Sequence, residues 1–138
     1  IDRERQREVF TGFYHGDNSE IMVNIITVPT FEKNAKKIAK RDKLLHKDLQ
    51  KLFEILNNNP KEGTFLGNGC YKIRIQNSSA NRGKSGGYHV ISYYYDEGTL
   101  GLLTIYSKSD KGNIFENEID ALIIELAEKL NGQDTKPL

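Results

Sequence analysis

Between residues 70 and 89 the chain carries Lys72, Arg74, Arg82 and Lys84 and not one carboxylate. The first two lie in Tyr71-Lys72-Ile73-Arg74-Ile75, whose alternation is that of a strand with both cations on one face. The other two lie in the basic, glycine-rich run Arg82-Gly83-Lys84-Ser85-Gly86-Gly87, which feeds into the apolar stretch Tyr88-His89-Val90-Ile91. Further on, Leu102-Leu103-Thr104-Ile105-Tyr106-Ser107-Lys108 reads as a strand ending in a phenol and an ammonium. Cations and aromatics gathered in this order suit a polyanion, above all nucleic acid.

Metal-free cleavage of RNA needs such groups. The 2′-hydroxyl attacks its own phosphodiester and leaves a 2′,3′-cyclic phosphate. A proton acceptor, stabilisation of the dianionic phosphorane and a proton for the leaving oxygen are required. Lys and Arg serve the second need, Arg with a fork onto two phosphate oxygens. A Tyr or Lys whose pKa is lowered by neighbouring cations can act as acid or base, and His89 titrates near neutrality.

Other chemistries find less support. His15, His46 and His89 are scattered, and neither HExxH nor CxxC occurs, so no metal or other cofactor is expected. There is no GxSxG elbow. Gly83-Lys84-Ser85-Gly86 only superficially matches a phosphate-binding Walker loop: position 78 is Ser, not Gly, and the run leads into a strand rather than a helix.

Each residue also has a plain reading. Lys72 is more often a surface lysine and Lys108 an ordinary strand-end lysine; Tyr106 and His89 fit half-buried sheet positions. Tyr93, Tyr94 and Tyr95 suit strand packing, with one of them free to stack on a base. Cys70 reads as a small buried residue, not a nucleophile.

With 138 residues the chain has room for one domain with a real core. A single cysteine allows no internal disulfide framework, and no stretch is apolar enough for a membrane span or a secretory signal. A cytoplasmic, reducing compartment is the simplest expectation. The net charge of +1 hides segregation: residues 33–51 hold eight cations against two carboxylates, and residues 110–128 hold six carboxylates against one lysine.

The elements that must position these groups follow from periodicity. Val23 to Val28 is patterned as a strand just after the sole methionine, Met22. Residues 1–21 are therefore expected to be an N-terminal extension or flexible arm, 22–130 the domain, and 131–138 a disordered tail. Thr30 is placed to cap a helix carrying Phe31, Ala35, Ile38 and Ala39. A second helix carries Leu45, Leu49, Leu52, Phe53 and Leu56 and stops at Asn57-Asn58-Asn59-Pro60; the two form a hairpin. Tyr88–Tyr95 and Leu100–Ser107 form a β-hairpin about Asp96-Glu97-Gly98. Glu116–Leu130 is a last amphipathic helix, ended by Asn131-Gly132. The order β-α-α-β-β-β-α predicts a small α+β domain, a mostly antiparallel sheet with helices packed on one face and the other face free to bind. Whether the faces bearing Arg74, His89 and Tyr106 coincide is left open, since the glycines before Tyr88 permit a bulge.

From Gly69 to Ile114 the chain resembles the RelE/ParE superfamily of bacterial type II toxins, most closely its HigB-like mRNA interferase branch. Tyr71-Lys72-Ile73-Arg74-Ile75, Arg82-Gly83-Lys84-Ser85-Gly86-Gly87, Val90-Ile91 and Leu102 to Lys108 carry the likeness. The resemblance implies cleavage of mRNA on the ribosome and neutralisation by a cognate antitoxin protein. It implies catalytic roles for Arg74, Lys84, His89, Tyr106 and Lys108, and RNA-binding roles for Lys72 and Arg82. Arg74 and Lys84 would grip phosphate, with Tyr106 and Lys108 beside the scissile bond. The family often has Arg where this chain has His89, which keeps acid–base capacity but loses permanent charge and the fork. The alternatives are a non-nuclease member acting on another target such as DNA gyrase, or a catalytically weakened relic.

Overall fold

The computed structural model describes residues 23–79, 87–96 and 98–134. The expected extension at 1–21 lies outside them, as do Arg82 and Lys84.

Strand β1, Asn24–Thr27, leads directly into helix α1, Pro29–Ala39. Pro29 occupies the first helical turn, where its missing N–H costs nothing, so Val28 rather than Thr30 is the capping position. Thr30 is satisfied from afar. Its backbone N–H and hydroxyl donate to the two carboxylate oxygens of Glu125 at 3.1 and 2.7 Å. That anion also faces the positive end of the α1 dipole.

Helix α2, Leu45–Asn58, buries Leu45, Leu49, Leu52, Phe53 and Leu56. It stops because Asn59 precedes Pro60, which drives Asn59 out of the helical region (φ −142°, ψ 88°). Asn57 stays buried and accepts the Val23 N–H at 3.3 Å, tying the end of α2 to the start of β1.

Strand β2, Thr64–Gly67, is a short strand that periodicity does not reveal. All its side chains are exposed or half-exposed, so it has no buried face to produce alternation. It turns through Gly67, Asn68 and Gly69, all with positive φ, into β3, Cys70–Ile75. Strands β4, Tyr88–Asp96, and β5, Thr99–Ser107, form the expected hairpin. Helix α3, Glu116–Asp134, continues through Asn131 and Gly132, four residues past the expected stop at Leu130 and into the segment read as a disordered tail.

The sheet order is β1-β5-β4-β3-β2, antiparallel except where β1 runs parallel to β5. The α+β architecture with a mostly antiparallel sheet is as expected, with one strand more. The helices are not confined to one face. Tyr88 reaches Asp42 in the α1–α2 connection, so the hairpin covers the side shared by Ile73, Val90 and Ile105. Gly101 points the other way, and a Cβ there would come within 2.7 Å of Leu126 on α3. Helix α3 thus crosses the second face, leaving the part around Arg74 uncovered.

Candidate functional site

The register settles which faces coincide. Arg74 pairs with His89, and His89 with Tyr106, so the three form one row across β3, β4 and β5. Lys72, Ile91 and Thr104 form the adjacent row on the same face. The β4–β5 pairing has two irregularities: one at Leu103, where β5 gains a residue between the partners of Ile91 and Ser92, and one between Tyr94 and Asp96. Both lie beyond the row, which therefore keeps its parity. Lys108 is exposed, immediately past the end of β5.

Burial and charge then differentiate these groups. Burial first, and then the charges of Lys72, Arg74 and Lys108, lower the His89 pKa below its ordinary 6.5. The imidazole is accordingly neutral at pH 7, able to accept a proton. Its Nδ1 is enclosed and has no hydrogen-bond partner among the described residues. The Tyr106 ring meets the imidazole edge-on, with centroids 5.5 Å apart and planes at 87°.

Tyr106 departs from expectation. Its side chain is buried and its hydroxyl is enclosed without a partner among the described residues. Burial, then the Glu118 carboxylate, raise its pKa rather than lower it. The phenol stays protonated, and Tyr106 forms the buried end of the row, in edge-on contact with the histidine.

Arg74 is exposed and stands over a pocket of about 270 Å³ lined also by Ile75, Gln76, Asn77 and Gly87. Gly87 is required here by close approach. A Cβ would lie 2.9 Å from the Ile75 carbonyl oxygen and 3.2 Å from Arg74 Nε.

Sequence reasoning missed the groups that hold this pocket's rim. Asp42 and Asp48, the two carboxylates of the lysine-rich stretch, are both buried. Asp48 accepts the Ser78 N–H at 2.9 Å and its hydroxyl at 2.5 Å. Asp42 accepts the Ser79 and Tyr88 hydroxyls, each at 2.5 Å, on separate oxygens. The available signal was their isolation: two acids among eight cations are positions where a negative side chain has a specific partner.

Cys70 is fully buried, and burial pushes its thiol up to about 11, so it is inert. His46 is exposed on α2, away from the row. Among the described residues no three of His, Cys, Asp and Glu converge as metal ligands would. None of the described helices is long and apolar enough to cross a membrane.

The model of the RelE toxin of the RelE/RelB toxin–antitoxin system matches residues 28–138. The chain belongs to the RelE toxin family. RelE-family membership makes it the toxin of a type II toxin–antitoxin system. No curated protein matches it. A solved structure similar to it is that of an arginine double mutant of the E. coli toxin RelE in the free state. It is 14% identical, with 76% of this chain and 94% of that one covered and a TM-score of 0.47.

Proposed function

We propose that this RelE-family chain is a metal-independent endoribonuclease of the HigB-like branch, cleaving mRNA on the ribosome. Its site is the Arg74–His89–Tyr106 row with Lys72 and Lys108. The supporting observation is a neutral histidine held between three cations on an uncovered part of the sheet.

In this reading a phosphodiester sits against Arg74, with Lys72 adding charge. Lys84 and Arg82, outside the described residues, supply further cationic contacts, as the sequence resemblance implies. His89 takes the 2′-hydroxyl proton as that oxygen forms its bond to phosphorus. The cations stabilise the phosphorane, whose charge exceeds that of the ground state. The bond to the 5′-oxygen breaks, and Lys108, exposed and cationic, donates the proton that oxygen requires. Products are a 2′,3′-cyclic phosphate and a 5′-hydroxyl. Tyr106 keeps the imidazole plane fixed. The toxin works in the cytoplasm and is silenced there by its cognate antitoxin.

Inducible expression in a bacterium, with growth and mRNA 5′ ends recorded together, tests this. Growth arrest with cleavage inside translated codons is expected, and Arg74→Ala should reduce cleavage by about 10²-fold or more. Arrest with intact mRNA would reject the nuclease in favour of another target, such as gyrase.

A further inference from the structure

The Arg74 pocket is bounded by two separate stretches of chain. Asn77, beside Ser78 and Ser79, forms one wall; Gly87, beside Tyr88, forms the other. Tyr88, the first residue of β4, is paired with Ile75 and Ser107, whereas Ser78 and Ser79 lie past the end of β3 at Ile75 and outside the strand pairing. Both stretches are also tied to the α1–α2 connection through one carboxylate. Asp42 Oδ1 takes the Ser79 hydroxyl, and Oδ2 takes that of Tyr88.

The carboxylate is itself fixed. Oδ1 also accepts the Leu44 N–H at 3.0 Å, and Asp42 is only 4% exposed. Asp48 repeats the arrangement one residue earlier by taking both donors of Ser78. Asn77 closes the turn by accepting the Ser79 N–H at 2.9 Å. Burying two carboxylates costs free energy unless each is well bonded, and nothing in core packing alone calls for them. Their placement makes sense as a clamp.

We infer that Asp42 is a positioning residue for a phosphate pocket. By holding Ser79 and Tyr88 on its two oxygens, it fixes the spacing of the walls between which Arg74 receives a backbone phosphate. This rests on the proposed RNA-cleaving role only for the identity of the phosphate as part of a nucleic acid. Asp42 touches no substrate; it acts through Ser79, Tyr88 and the adjoining Gly87. The bonds that close the clamp also keep it ionised. Burial works to raise the Asp42 pKa, but the bonds from Ser79, Tyr88 and Leu44 and the Arg41 charge outweigh it and leave the pKa below the usual value.

The test is a thermodynamic cycle on the full chain, with inorganic phosphate as the probe and the Gly87 amide NMR signal as the readout. Wild type should show a saturable shift that Arg74→Ala largely removes. Asp42→Asn should weaken phosphate binding about tenfold, a coupling typical of groups in one network. Tyr88→Phe, which deletes one hydroxyl and keeps the ring, should weaken it in the same direction. Neither change should alter the residual affinity in the Arg74→Ala background. Equal losses with and without Arg74 would mean a merely structural role and overturn the inference. So would unchanged affinity in folded Asp42→Asn and Tyr88→Phe, or a Gly87 signal indifferent to phosphate. If phosphate binding depends on Asp42 as expected while the wild-type protein cleaves no mRNA, the positioning role stands and the nuclease reading falls.

Discussion

His89 carries a property that neither its neighbours nor its position in the chain advertises singly. Burial and the cations Lys72, Arg74 and Lys108 all disfavour its protonated form. An NMR titration of the imidazole should therefore give a midpoint below 6.5. The unfolded chain takes up that proton at a higher pH than the native protein does. Stability through this group is thus complete above about pH 6.5 and declines as pH falls toward the native pKa. A midpoint at or above 6.5 would contradict the cation cluster. The residue types at this site were legible early: no carboxylate interrupts residues 70–89, and Arg74, His89, Tyr106 and Lys108 were all candidates. What could not be read was the inward turn of the Tyr106 hydroxyl. It follows from packing across the sheet, and the Glu118 carboxylate that helps keep the phenol protonated comes from α3, a separate element.

At the scale of elements, long amphipathic segments were readable and short exposed ones were not. The stripe Leu45, Leu49, Leu52, Phe53 and Leu56 announces α2 because each member gains about 1.5–3 kcal/mol by burial, so its spacing must match the helix. Strand β2 has no such requirement and left no pattern. Thr30 was correctly seen as a residue at a helix start and wrongly given the cap, because its acceptor is ninety-five positions away. That bond predicts a measurable dependence between α1 and α3. Glu125→Ala should cost about 1–2 kcal/mol in chemical denaturation. Thr30→Ala should add little to it, since the two groups form one interaction. Full additivity would show that the acid contributes elsewhere.

For the whole molecule, burial sharpens the charge separation seen in composition. Of the ten charged residues between 33 and 51, the eight cations are exposed, and the two carboxylates are the buried ones. The outer face of the α1–α2 hairpin is therefore more positive than a net charge of +1 conveys. RNA affinity should fall steeply with salt, with a log–log slope of about −0.7 per phosphate contacted on a single strand. Arg74→Ala should reduce that slope by about one contact while leaving most of it. A slope that vanished with Arg74 alone would show that the hairpin face takes no part.

The parallel pairing of β1 with β5 has a consequence for how the toxin is made. Among the described residues β1 pairs only with β5, whose partner positions lie roughly 75 residues later, with two helices and three strands synthesised in between. The same late strand supplies Tyr106 to the row that holds Arg74 and His89. During translation, β1 lacks its β5 partner and the row lacks its third member until Ser107 has cleared the exit tunnel. Formation of β5 therefore seats β1 at the edge of the sheet and completes the row in the same late step. A chain interrupted before that point has neither the β1–β5 pairing nor the complete row.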